Sequence, residues 1–238
     1  MGIPLGNRLL DALPEDELRA IRPALMRTPL RVGATVTSPA HPGASLYFPV
    51  SGVISVLAQT TAGESVEIAM AGREGMIGAF EALGHPQPPF TARVQVSGEA
   101  LRLPVDLFRR QLDACGEVLE IMHGYLQCLM LQVTQSAVCN RFHTAEQRLA
   151  RWLLSTAHAS GCATFELTHD TLAQMIGSPR SAVTGAASAL RDAGLVEYSR
   201  GRVQIRDRSG LARVACECLH VVEGALGREC VPQSPPAA

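Results

Sequence analysis

The feature that most constrains this chain is a pair of short helices followed by a hairpin between residues 168 and 205. Thr168-His169-Asp170-Thr171-Leu172-Ala173-Gln174-Met175-Ile176-Gly177 reads as a helix capped by the Thr168 hydroxyl and ended by a glycine suited to left-handed geometry. Its inward positions are Leu172, Ala173 and Ile176. Ser178-Pro179 restarts the chain, Ser178 as cap and Pro179 at the first helical position, where a missing N–H is no loss. Val183, Ala186, Ala187 and Leu190 then make one buried face. Leu195-Val196-Glu197-Tyr198 and Arg202-Val203-Gln204-Ile205 flank Ser199-Arg200-Gly201, a β-hairpin tipped by arginine and glycine. Two helices, a tight turn and a hairpin in this order predict a winged helix-turn-helix, with an ordinary α-hairpin as the alternative. Arg180, Ser181, Thr184, Gly185, Ser188 and Arg191 stay outward as a slim polar surface able to enter a major groove. Recognition helices read bases with their N-terminal residues, and arginine matches guanine best. The expected DNA-facing set is therefore Thr168, Ser178, Arg180, Ser181, Thr184, Ser188 and Arg191, with Arg200 and Arg202 of the wing on phosphate.

Charge is consistent with this without proving it. The 238 residues carry 21 basic side chains, all arginine, against 22 acidic ones, so the net charge is −1. Residues 1–140 hold 10 Arg against 13 acids and residues 141–238 hold 11 against 9, which makes the C-terminal part mildly basic. The tract from Arg180 to Arg208 has six Arg and three acids, as a phosphate-facing surface requires. An apolar content of 47% is ample for real cores.

Ahead of this unit the pattern changes twice. Residues 8–27 read as short amphipathic helices. From Leu30 to Leu103, short β-branched runs such as Val53-Ile54-Ser55-Val56-Leu57 and Arg93-Val94-Gln95-Val96 alternate with Gly, Pro and Ser, which predicts an antiparallel barrel or sandwich. After Pro104 the periodicity is helical, and Leu119, Met122, Leu126, Leu129 and Val133 follow a 3-4-3-4 spacing. Ile121, Tyr125 and Cys128 give the same helix a second apolar face. Two faces need two partners, most simply the chain's own barrel and the twin helix of a second subunit.

Residues 121–140 contain no charge, but Gln127, Gln132, Thr134, Gln135, Ser136 and Asn140 would be penalised in a bilayer. No membrane partner is expected. The Met-Gly-Ile-Pro start lacks a secretory pattern, and the expectation is a cytoplasmic protein. Seven cysteines at irregular spacing argue for reduced thiols. Cys216, Cys218 and His220 are the one group with metal or redox potential, although on a continuous helix over 209–226 alternate cysteines would face different sides, so no metal is assigned. His123, His143, His158 and His169 lack an acid or nucleophile at a telling spacing, which leaves an enzyme little support.

With these residues in view, Leu167 to Gly201 resembles the DNA-binding domain of the Crp/Fnr family of bacterial regulators. Ser51-Gly52-Val53-Ile54, Gly75-Met76-Ile77-Gly78 and Thr91-Ala92-Arg93-Val94 resemble strands of that family's cyclic-nucleotide-binding-like barrel, and residues 116–140 its dimer helix. The resemblance implies an α+β chain: a jelly-roll-like antiparallel β-barrel sensor over 1–115, a dimerisation helix over 116–143, a winged helix-turn-helix over 144–210, and a C-terminal helix with a disordered tail over 211–238. It also implies a homodimer on a pseudo-palindromic operator in double-stranded DNA, with RNA polymerase as a further partner. The pocket candidates it points to are Gly75, Ile77, Gly78, Ala79, Phe90, Thr91 and Arg93.

Two departures from the family follow. Where cyclic-AMP-responsive members place a ribose-binding Glu and a phosphate-binding Arg, this chain has Ala79 and Phe90, so cyclic nucleotide recognition is not expected. The oxygen-sensing members' N-terminal cysteine cluster is missing too, since the first cysteine is Cys115. No cofactor is assigned and the effector is left open. The rival readings are an assembly or ligand-binding module that does not touch DNA, and a thiol- or zinc-dependent protein built on Cys216 and Cys218.

Overall fold

The protein, described here by a computed structural model, is defined over residues 4–41, 43–85, 90–199 and 201–228. Arg200 and the tail beyond residue 228 lie outside the described residues. Two short helices, α1 (Arg8–Asp11) and α2 (Glu15–Ile21), lead into seven strands: β1 (Met26–Leu30), β2 (Thr35–Thr37), β3 (Ser45–Pro49), β4 (Val53–Gln59), β5 (Ser65–Ala71), β6 (Thr91–Val96) and β7 (Gly98–Pro104). They form two antiparallel sheets, ordered β1-β7-β3 and β2-β6-β4-β5. The sheets enclose Leu30, Ile54, Ala71, Ile77, Ala92, Val94 and Ala100. One helical turn, α3 (Ala79–Ala82), interrupts the strands between β5 and β6.

Helix α4 (Val105–Ala114) leads into α5 (Gly116–Phe142), 27 residues long and therefore about 40 Å. Its N-terminal half buries Val118, Ile121, Met122 and Tyr125 with Met76, Phe48 and Phe108 at the base of the barrel. Further along, its polar residues have structural work. Strand β5 is an edge strand, and its exposed backbone is satisfied by the helix: the Met70 N–H donates to Gln132 Oε1 at 3.1 Å, and the Ser136 hydroxyl donates to the Ile68 carbonyl at 3.1 Å. Those uncharged polar residues thus serve a sheet edge. No helix among the described residues is long and apolar enough to cross a membrane.

The C-terminal third comprises α6 (Ala145–Ser160), β8 (Thr164–Glu166), α7 (His169–Ile176), α8 (Arg180–Asp192), β9 (Val196–Ser199), β10 (Arg202–Ile205), α9 (Arg208–Val214) and α10 (Cys218–Arg228). A full capping box, Thr144 with Gln147, starts α6. The wing is a three-stranded sheet, β8-β10-β9. One core joins Trp152, Leu153, Leu172, Val183, Leu190 and Val203 with Val53, Leu57 and Met70 of the barrel, so the helix-turn-helix sits directly on the barrel.

Several expectations are corrected here. The C-terminal helix expected over 209–226 is broken at residues 215–217, so Cys216 and Cys218 do not alternate around one cylinder. His220 points outward and is exposed. Among the thiols, Cys115, Cys139, Cys162, Cys216 and Cys218 are free, but Cys128 is disulfide-bonded, contrary to the expectation of reduced cysteines throughout.

Candidate nucleic-acid interface and sensor pocket

Helix α8 buries Val183, Ala186, Ala187 and Leu190, the four positions expected from the sequence, and leaves Arg180, Ser181, Thr184 and Arg191 exposed with Ser188 half-buried. The Thr168 hydroxyl caps α7 by accepting the Thr171 N–H at 3.1 Å. Gly177 closes α7 at φ +57, where an added Cβ would lie 2.9 Å from Val66 of the barrel. A side chain there would meet both backbone strain and a clash. Ser178 is a correction: it is buried, receives the Arg148 guanidinium, and does not cap α8, whose N-cap is Pro179 with no side-chain bond. With Pro179 carrying the chain into the helix, the Ser178 hydroxyl turns inward to the Arg148 guanidinium and away from the outer face of α8.

Arg180 forms an exposed ion pair with Asp170 at 3.0 Å, and Arg202 one with Glu166 at 3.8 Å. Such pairs are weak in water and yield readily to phosphate or a base edge. His169 accounts for a link the sequence did not reveal. Its Nδ1 lies 3.1 Å from the Thr184 hydroxyl, and its ring meets Tyr198 edge-on at 5.4 Å, which ties both helices to the wing.

Between barrel and α5 lies a cavity of ≈ 390 Å³, within the range of small-molecule sites. Ile77, Gly78, Ala79 and Phe90 of the expected pocket line it; Gly75, Thr91 and Arg93 do not. Alternation along β6 puts Ala92 on the cavity side and therefore Arg93 on the other. Gly78, at φ +102 and with a would-be Cβ 2.6 Å from Leu46, allows the tight entry into α3. Gly75 approaches the Tyr125 ring, whose hydroxyl donates to the Met76 carbonyl at 2.6 Å. Burial pushes that phenol up to about 12, so it remains a donor at any physiological pH. The remaining walls are apolar: Val56, Ile68, Met76, Leu126, Leu129 and Val133, with Phe80 against Phe90 at 5.6 Å between ring centres. Among the described residues, the charged side chain lining the cavity is Glu81, whose carboxylate accepts from the Thr37 hydroxyl at 3.3 Å.

On the expected dimer seam, Leu119, Leu126, Leu129 and Val133 are half-buried. Met122 is a correction, being 1% exposed within the chain's own core and out of reach of a second subunit. Met130 at 67%, Val138 at 37% and Phe142 at 73% are large apolar side chains exposed on the same helix.

A jelly-roll barrel, a long connecting helix and a winged helix-turn-helix, in this order and docked in this way, define a transcription regulator with a DNA-binding domain. Two domain families match in the same order: the cyclic nucleotide-binding domain over residues 27–115 and the Crp-like helix-turn-helix domain over residues 147–214. The chain belongs to the Crp/Fnr family of transcription regulators. Solved structures share the fold. FixK2 from Bradyrhizobium japonicum is 14% identical, with 81% of this chain and 98% of that one covered at a TM-score of 0.68. A CRP-family transcriptional regulator from Thermus thermophilus is 21% identical, with 79% and 96% covered at 0.66. The c-di-GMP-responsive global regulator CLP from Xanthomonas campestris is 16% identical, with 82% and 100% covered at 0.64. No curated protein sequence matches significantly.

Proposed function

We propose that the protein is a homodimeric, sequence-specific regulator that lays α8 of each protomer into successive major grooves of a pseudo-palindromic operator, and that its effector is not a cyclic nucleotide. The division of labour follows the segments 1–115 for sensing, 116–143 for dimerisation, 144–210 for DNA binding and 211–238 as a C-terminal extension. Its place is the cytoplasm, with RNA polymerase as its further partner at the promoter. The observation that carries this reading is the outer face of α8, where Arg180, Ser181 and Thr184 are exposed over a fully packed inner face.

Arg180→Ala should cost about 1–3 kcal/mol on the cognate site and relax preference at one base pair. Arg202→Ala should instead weaken all DNA equally and lower the salt slope by about 1. Gel shifts over a salt series on the operator and on randomised DNA measure both. Equal loss on all sequences for Arg180→Ala would remove it from base recognition.

The cavity chemistry supports the second half of the proposal. An anionic phosphate placed there would find Phe80, Phe90 and aliphatic walls in place of a guanidinium, and the buried Glu81 carboxylate would repel it. The class of ligand that fits is an apolar small molecule. Calorimetric titration with cyclic AMP and cyclic GMP should show no binding at low micromolar concentration. Binding in that range, abolished by Arg93→Ala, would overturn this reading of the pocket.

A further inference from the structure

Where α5 ends, two of its residues meet the break between α9 and α10. Cys139 and His143 come from the helix end and Cys216 and Cys218 from the break, and one ligand atom from each lies within 4.8 Å of all the others. Cys139 Sγ and Cys216 Sγ are 3.6 Å apart, and Cys218 Sγ is 3.5 Å from His143 Nδ1. A tetrahedral zinc ion with Zn–S of about 2.3 Å and Zn–N of about 2.0–2.1 Å has ligand-to-ligand edges of roughly 3.5–3.8 Å. The two measured edges already have that length. We propose that Cys139, His143, Cys216 and Cys218 form a site for one thiophilic divalent cation, zinc being the best fit, which fastens the C-terminal helix to the end of the long helix.

The surroundings are those of a metal site. His143 offers Nδ1 to the cluster while its Nε2 lies 3.1 Å from Glu217 Oε1, the outer carboxylate that fixes the tautomer and aim of a ligating imidazole. Gln135 Nε2 donates to Cys218 Sγ at 3.0 Å, a bond that supports a thiolate. Three thiolates and a dication leave one negative charge, and the neighbouring Arg151 and Arg148 guanidiniums offset it. All three cysteines are buried, and His143 has 10% of its side chain exposed. Four protein ligands complete a tetrahedral shell, the arrangement of a structural zinc site rather than a catalytic one that holds water. Convergence on a single point also suits one ion better than an iron–sulfur cluster, whose thiolates must spread over several irons.

The site spans 80 residues of sequence, from Cys139 to Cys218, and lies at the joint between dimer helix and DNA-binding domain. Bound metal would hold that joint, a consequence that rests on the DNA-binding reading; the metal site itself does not.

The test uses the full-length chain purified under reducing conditions without chelator. Mass spectrometry of metals should find about one zinc per chain, and cobalt substitution should give thiolate-to-cobalt charge-transfer bands with the intense visible bands of a tetrahedral ion. Cys139→Ser and Cys218→Ser should each abolish the charge-transfer spectrum or weaken it, Glu217→Gln should lower zinc affinity about tenfold, and the exposed Cys162→Ser should do neither. The wild-type cobalt spectrum decides the matter even where a variant fails to fold. A chain that takes up no zinc or cobalt under these conditions, iron with labile sulfide in place of zinc, or a Cys139–Cys216 disulfide in freshly reduced protein would each overturn the proposal. Loss of DNA binding with metal still bound would count against the operator reading and leave the metal site standing.

Discussion

Leu126→Glu should convert the protein from dimer to monomer at micromolar concentration. Leu126 is half-buried beside Leu129, Met130 and Val133, on the side of α5 that the chain's own barrel leaves partly open. In a two-fold dimer of parallel helices the same positions meet their symmetry mates. Each glutamate would then stand in an apolar seam near another, without a partner, and an uncompensated buried charge costs roughly 3–5 kcal/mol. That corresponds to a loss of about a hundredfold to a few thousandfold in dimer affinity. Leu126 and Met130 both line the cavity, but Met130 is 67% exposed within one chain, so Met130→Glu is a companion that should leave the protomer folded and still weaken the dimer. Light scattering reads the mass, and circular dichroism confirms the fold. Leu126→Glu and Met130→Glu chains that both remain dimeric would mean that α5 is not the interface.

How far the sequence reached depended on whether a signal was local. The helix-turn-helix was legible because its cap, its glycine and its buried face all lie within about two turns of one another. α5 was legible as an element with two apolar faces, expected over 116–143 and found over Gly116–Phe142, but the spacing did not show how far the barrel reaches around it. Met122 belongs to the 3-4 seam by spacing, yet the barrel base takes it and leaves Met130, off the seam, exposed. Strands β1 and β3 carried no readable pattern, Pro29 interrupting the first and Pro49 ending the second; both strands are edges of their sheet, where a missing N–H is tolerated. The wing's Arg200 remains an expectation from sequence. The metal ligands illustrate the limit most sharply. Cys139 and His143 are four residues apart at a helix end, a spacing that was there to be noticed, but nothing local says that Cys216 and Cys218 return to meet them.

Glu67 leads to the second large effect, and nothing local in the run Val66-Glu67-Ile68-Ala69 says that its carboxylate is buried. Its carboxylate is buried between sensor and DNA-binding domain, accepting from Trp152 Nε1 at 2.9 Å and from the Ser55 hydroxyl. Burial pushes it from 4.5 up to about 7, against the pull of the Ser55 hydrogen bond, the Arg151 charge and the Trp152 N–H. The docked state therefore holds the proton more tightly than the unfolded chain does. Its contribution is full below pH 4.5 and is lost as the pH rises through about 7. A shift of this size is worth about 3 kcal/mol. Glu67→Gln, which imitates the protonated group, should be more stable than the parent by up to that amount at pH 8, with the difference fading toward pH 4.5. Glu74, His158, Arg151 and Glu223 line the same small cavity, so a pH profile of the parent alone would not single out Glu67. Trp152 does, because it is the sole tryptophan of the chain and touches the carboxylate directly. Its fluorescence should titrate with a midpoint near 7 in the parent and should be flat over pH 5–8 in Glu67→Gln. An unchanged midpoint in the variant would remove Glu67 as the pH-sensitive contact between the two domains.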